Sequence, residues 1–108
     1  MNVISMGRVN VAAPGTPIPL STDPRLRVAR VQFQSVPGLT GKAYVGTHGM
    51  NKATLSGVVR ILAPTGSSSI SDTYEVETSN NSDGIALSQL FLDADIVGEG
   101  LLISYWVE

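Results

Sequence analysis

The 108-residue sequence has no cysteine, a single histidine and a single tryptophan. Without cysteine there is no disulfide framework, no thiolate nucleophile and no zinc site built on thiolates. Redox conditions therefore do not constrain the compartment. Charge is also scarce. Charged residues make up 15% of the chain against 43% apolar, which excludes a disordered chain and leaves neutral surface that other subunits can cover. No apolar run approaches the ~20 residues a membrane helix needs, and MNVISMGRVNV lacks the apolar core of a signal peptide. No membrane partner is expected. Helical patterning is nearly missing too. KATLSGVVRIL suits at most a turn or two of helix, weakened by Gly57 and the paired valines.

What remains is strand. Val9 and Val11 share a parity ahead of the AAPGTPIP stretch, whose prolines confine it to an extended edge or a connection. RLRVARVQFQSV is the strongest strand, yet its alternation slips. Leu26 and Val28 are apolar at even positions, whereas Val31 and Phe33 are apolar at odd ones. A period-two pattern that slips by one residue predicts a bulge or corner at Ala29 and Arg30, of the kind that lets one strand serve two packed sheets. PGLTG then reads as a hairpin connection to a partner strand KAYVGT, and THGMNKATLSG as a polar excursion. VVRILAP is a short strand ended by Pro64. SDTYEVET alternates cleanly, with Tyr74 and Val76 opposite Glu75 and Glu77, and SNNSDG is a turn. ALSQLFLDAD and EGLLISYWVE form a final hairpin. The chain is long enough for one modest core burying roughly 65% of its unfolded surface. This pattern predicts an all-β, single-domain antiparallel β-sandwich over residues 1–108, jelly-roll-like, with about eight strands and a possible N-terminal arm over 1–15.

Chemistry is thin. His48, in VGTHGMN, is the sole imidazole, and no GxSxG elbow accompanies it. PGLTGKA fails as a phosphate loop, because Val36 stands where a Gly is needed and Ala43 follows the lysine. The acidic stretch LDADIVGEG fails as a calcium loop, because Val97 and Ser104 fall at ligand positions. Asp93 and Asp95 share a strand parity about 7 Å apart and are the only weak metal candidates. Otherwise the stretch reads as a polar turn, its acids keeping the hairpin end soluble. No catalytic residue, cofactor site or enzyme activity is expected.

The charge is unevenly placed. All seven basic residues and one acid lie in the first 60 positions, giving +6, and eight acids with no base follow, giving −8. Cross-strand pairing of early bases with late acids accounts for that, as does a polarised molecule with a basic and an acidic docking face. The net charge of −2 argues against a nucleic-acid partner. In LLISYWVE, Tyr105 and Trp106 must face opposite sides of their strand, one toward the core and one toward surface or interface.

The combination of TPIPLS, RVARVQFQSVPGLTGKAYVG, LAP and LSQLFLDADIVGEGLLISYWV resembles small β-rich virion proteins of tailed phages, of the head decoration or cement type. The likeness covers roughly residues 16 to 47 and 86 to 107, while THGMNKATLSG and SSSISDTYEVET depart from it. It implies a bacteriophage structural protein at the capsid surface, assembled in the host cytoplasm. Its partners would be the major capsid protein and itself, as a homotrimer first and a dimer next. A rigid scaffold with neutral surface and reaching termini suits that role. Interface candidates are Met1, Val3, Met6 and Arg8 on the arm, Arg25 and Arg27, and Tyr105 and Trp106. Two rival expectations stand beside it. One is a tail or spike component. The other is a carbohydrate-binding sandwich using Trp106 with Asp93 and Asp95.

Overall fold

Strands dominate the chain because β-branched and aromatic residues alternate with polar ones between Gly and Pro breaks. A computed structural model describes residues 2–36, 40–63, 73–77 and 84–107. Its elements are β1 (Asn2–Asn10), β2 (Ile18–Pro19), β3 (Arg27–Val28), β4 (Arg30–Ser35), β5 (Ala43–Asn51), β6 (Ser56–Leu62), β7 (Thr73–Glu77), β8 (Ile85–Ala86), β9 (Phe91–Ala94) and β10 (Gly100–Val107). A short 3₁₀ turn, Leu87–Gln89, separates β8 from β9. All pairings are antiparallel. One sheet runs β1-β10-β4-β7, a second runs β2-β9-β5-β6, and β3 with β8 forms a two-stranded ribbon.

The two four-stranded sheets form a β-sandwich around one apolar core. Phe33 and Val31 of β4, Leu101 and Ile103 of β10, Val45 of β5 and Leu92 of β9 are all fully buried within it. Each such side chain contributes about 1.5–3 kcal/mol by leaving water. Register fixes the layers: Ile103 lies opposite Phe33 on one side and Gly7 on the other. A bulge between Ser5 and Gly7 shifts β1 by one residue, which is why Met6 and Val9, of opposite parity, both pack on the core.

The slip at Ala29 is a change of sheet. β3 pairs with β8, and one residue later β4 pairs with β10 and β7. Ala29 bridges the two by donating its N–H to the Trp106 carbonyl at 2.8 Å.

Five expectations are corrected. β5 is not the hairpin partner of β4, since the two lie in different sheets; Pro37 and Gly38 of that connection lie outside the described residues. THGMN is not an excursion but the second half of β5, which turns at Lys52–Leu55 into β6. ALSQLFLDAD is not one strand but is interrupted by the 3₁₀ turn. Nor do β9 and β10 form a hairpin: β9 pairs with β2 and β5, β10 with β1 and β4, and residues 95–99 cross from one sheet to the other. Both strands carry buried apolar residues that need an opposing layer, and the crossing supplies it. The N-terminal segment is the first strand of its own sandwich, paired with β10 from Asn2 to Asn10, and not a free arm.

Candidate functional site

The acidic connector between β9 and β10 is where the sequence concentrated its polar chemistry. Asp93 ends up on the outer side of its sheet, since its neighbours Leu92 and Ala94 point into the core. It is nevertheless only 1% exposed. The Pro-rich loop after β1 lies over it, and Asp93 Oδ1 accepts hydrogen bonds from the N–H of Gly15 at 3.0 Å and of Ala94 at 2.8 Å. Its Oδ2 is buried without a donor among the described residues. The expectation that this acid keeps a turn soluble is therefore wrong.

Asp95 is held differently. The Tyr44 hydroxyl donates to both of its oxygens, at 3.1 and 3.2 Å. The Lys52 ammonium donates to the Ala94 carbonyl at 2.8 Å and reaches Asp95 Oδ1 at 3.4 Å. Lys52 thus occupies the place a cation would take beside Asp95. Burial, the bond to Asp95, and the charges of Asp95 and Asp93 push the Tyr44 phenol above its ordinary pKa. Among the described residues no group of three or more metal-ligating side chains converges, at this connector or elsewhere.

Glu99 makes the third anchor. Its carboxylate accepts the N–H and hydroxyl of Thr40 and the N–H of Gly41, all between 3.0 and 3.2 Å. Partial burial works to raise its pKa. The N–H groups of Gly41 and Thr40, the Thr40 hydroxyl and the charge of Arg8 outweigh that, so the carboxyl sits below its usual range. Each acid of LDADIVGEG therefore braces a different segment: the loop after β1, the β5–β6 hairpin and the connection into β5.

The charge asymmetry closes within the molecule. Arg30 on β4 pairs with Glu75 and lies 3.2 Å from Glu77, both on β7. The Arg30–Glu75 hydrogen bond is the chief reason that Glu75 titrates low and Arg30 high. Lys52 meets Asp95, and Arg8 acts on Glu99. Three early bases, Arg8, Arg30 and Lys52, thus lie beside four late acids, Glu75, Glu77, Asp95 and Glu99, whereas Arg25 lies beside the early Asp23.

The interface candidates scatter. Met1 lies outside the described residues. Val3 is 60% exposed at the free end of β1, whereas Met6 packs on the core. Arg8 lies beside the bulge, its Nε bonded to Asn10. Arg25 and Arg27 are exposed, Arg25 beside Asp23. Tyr105 packs against the core, so Trp106 faces outward, where the Arg30 guanidinium lies 4.8 Å over its ring. Met6 and Tyr105 are thus partly buried against the core. Trp106 and the Asp93/Asp95 pair lie on different sheets and opposite sides of the sandwich, so they do not form one sugar site. His48 meets Phe91 edge to face at 5.5 Å.

Sequence reasoning passed over the exposed apolar residues of the β5–β6 hairpin: Leu55, Val59 and Ile61. Leu55 also holds a positive φ of 65°, an unfavourable conformation for a branched apolar side chain. Ile96 and Val97 add a second exposed apolar pair on the connector. The signal for these residues was the run VVRIL, in which only Arg60 is polar. No family model matches the chain, and neither a curated protein nor a solved structure matches it.

Proposed function

We propose that this chain is a tailed-phage head decoration or cement protein, a structural component that binds between major capsid protein subunits at the capsid surface. The observation that carries the reading is the distribution of exposed apolar side chains. Val3 and Ile4 on β1, Leu55, Val59 and Ile61 on the β5–β6 hairpin, and Ile96 and Val97 on the connector occupy three separate places. Contacts that are weak singly become strong when several engage one shell together. The acids, by contrast, are spent on internal bracing, which suits a scaffold that resists deformation. The resemblance in TPIPLS, the strand over 28–35 and LDADIVGEG supports the same reading. The working form is a symmetric homo-oligomer, and the jelly-roll arrangement belongs to this reading too.

The experiment is co-sedimentation of the purified protein with empty capsids, followed by shell melting. The expected result is co-pelleting and a raised melting temperature of the shell. Leu55→Ser with Val59→Ser weakens pelleting while leaving the protein's own unfolding cooperative. A protein that never pellets with capsids overturns the proposal.

A further inference from the structure

We propose that the Asn2–Ser5 half of β1 pairs edge to edge with the same half of a second copy, joining two four-stranded sheets across a two-fold axis. β1 is the outer strand of its sheet and pairs with β10 alone, so the other side of its ladder has no backbone partner among the described residues. Such an edge is a template for another strand unless something blocks it. The blocks are confined to the far half: the bulge between Ser5 and Gly7 and the charge of Arg8. From Asn2 to Ser5 there is no charge, no proline and no irregularity.

Exposure identifies what covers this edge. Val3 lies beside Trp106 on the outer face of the sheet and Ile4 beside Tyr105 on the inner one, yet both are solvent-exposed, at 60% and 40%. A flat partner laid on one face covers only one of them. An added strand brings side chains to both faces at once.

The occupant follows from comparing the edges of the molecule. β2 has two residues, one of them Pro19. β6 carries Arg60 at its centre and a register shift opposite Val45 and Gly46. β7 carries Glu75 and Glu77, both tied to Arg30. Among the edges of the two described four-stranded sheets, the one compatible with an uncharged β1 is another β1. Antiparallel pairing about a two-fold sets Val3 opposite Val3 or Ile4 opposite Ile4, because facing residues share a side of the sheet. No like charges meet in either register. The arrangement is isologous and closes as a dimer. It rests on the strand edge and not on the capsid reading, which co-sedimentation tests separately.

The test uses the full chain without an N-terminal tag. Sedimentation across a concentration series shows a monomer–dimer equilibrium. Val3→Lys and Val3→Glu, at a well-exposed position, each weaken it by up to roughly fivefold, through like charges that face each other in the Val3 register and lie diagonal in the Ile4 register, and an equimolar mixture of the two recovers it. Because the chain has no cysteine, a single introduced thiol reports only on symmetric encounters. Under mild oxidation Val3→Cys or Ile4→Cys cross-links as a dimer, and Leu55→Cys, exposed on the hairpin, does not. A wild type that stays monomeric, lysine and glutamate variants that dimerise undiminished, or Leu55→Cys cross-linking as readily as the β1 positions each overturns the proposal.

Discussion

Asp93 Oδ1 accepts the backbone N–H of Gly15 at 3.0 Å, across 78 residues of intervening chain. A carboxylate on the outer side of a sheet is thereby sealed under a loop it holds in place. Removing the acceptor strands a buried donor as well as losing charged hydrogen bonds. Asp93→Ala is expected to cost about 2–3 kcal/mol in urea unfolding, and Asp93→Asn, which keeps one oxygen acceptor, about 1 kcal/mol. Calcium chloride at matched ionic strength leaves both midpoints unchanged, because Lys52 already neutralises Asp95.

Acid weakens the fold through Glu99 and Glu75. Both carboxyls titrate below their unfolded range. Their stabilisation is complete above the unfolded value of about 4.3 and is lost as pH falls through the lower folded values. The unfolding midpoint is expected to hold from neutral pH down to about pH 5 and to fall below that. Glu99→Gln, which keeps the shape but carries no titrating proton, shows a shallower fall than wild type.

The glycines of the connector carry unequal burdens. Gly98 adopts φ 80° at the turn, so Gly98→Ala costs about 1 kcal/mol from backbone conformation. At Gly100 a Cβ would collide with the Val9 carbonyl of the neighbouring strand. That contact is backbone and cannot swing away. Gly100→Ala is expected to cost about 3 kcal/mol or more, visible in the denaturation midpoint.

Trp106 is the only tryptophan, so its fluorescence reports on one site. The Arg30 guanidinium lies over its ring and is anchored by Glu75 and Glu77. Arg30→Ala is expected to red-shift the emission and increase iodide quenching, with Glu75→Gln producing a smaller change in the same direction.

Much of this architecture is legible in the alternation of side chains. The slip between Val28 and Val31 marks the change of sheet at Ala29, and the pattern of TYEVE places Tyr74 and Val76 toward the core. Alternation fails where it carries no signal about partners. β5 hides its second half behind Gly46, Thr47, His48 and Gly49, which show no apolar rhythm, so the hairpin with β6 is invisible. Parity tells that Asp93 faces away from the core, but not that a loop from the other end of the chain covers it. Whether two successive strands pair or cross between sheets depends on which distant strands claim their edges. β9 and β10 are claimed by β5, β2, β4 and β1, and no local residue pattern records that.

The placement of β10 has a consequence for how the molecule assembles. It sits between β1 and β4, two strands from the first third of the chain, yet it follows both in sequence. Until residues 100–107 are present, β1 has no partner among the described strands and β4 has only β7. Folding therefore closes late, on contacts far apart in sequence, and belongs to the slow end of small-domain kinetics. A nascent or truncated chain lacking β10 exposes an apolar β1 with both of its edges open, and its fate is set by whichever strand reaches it first.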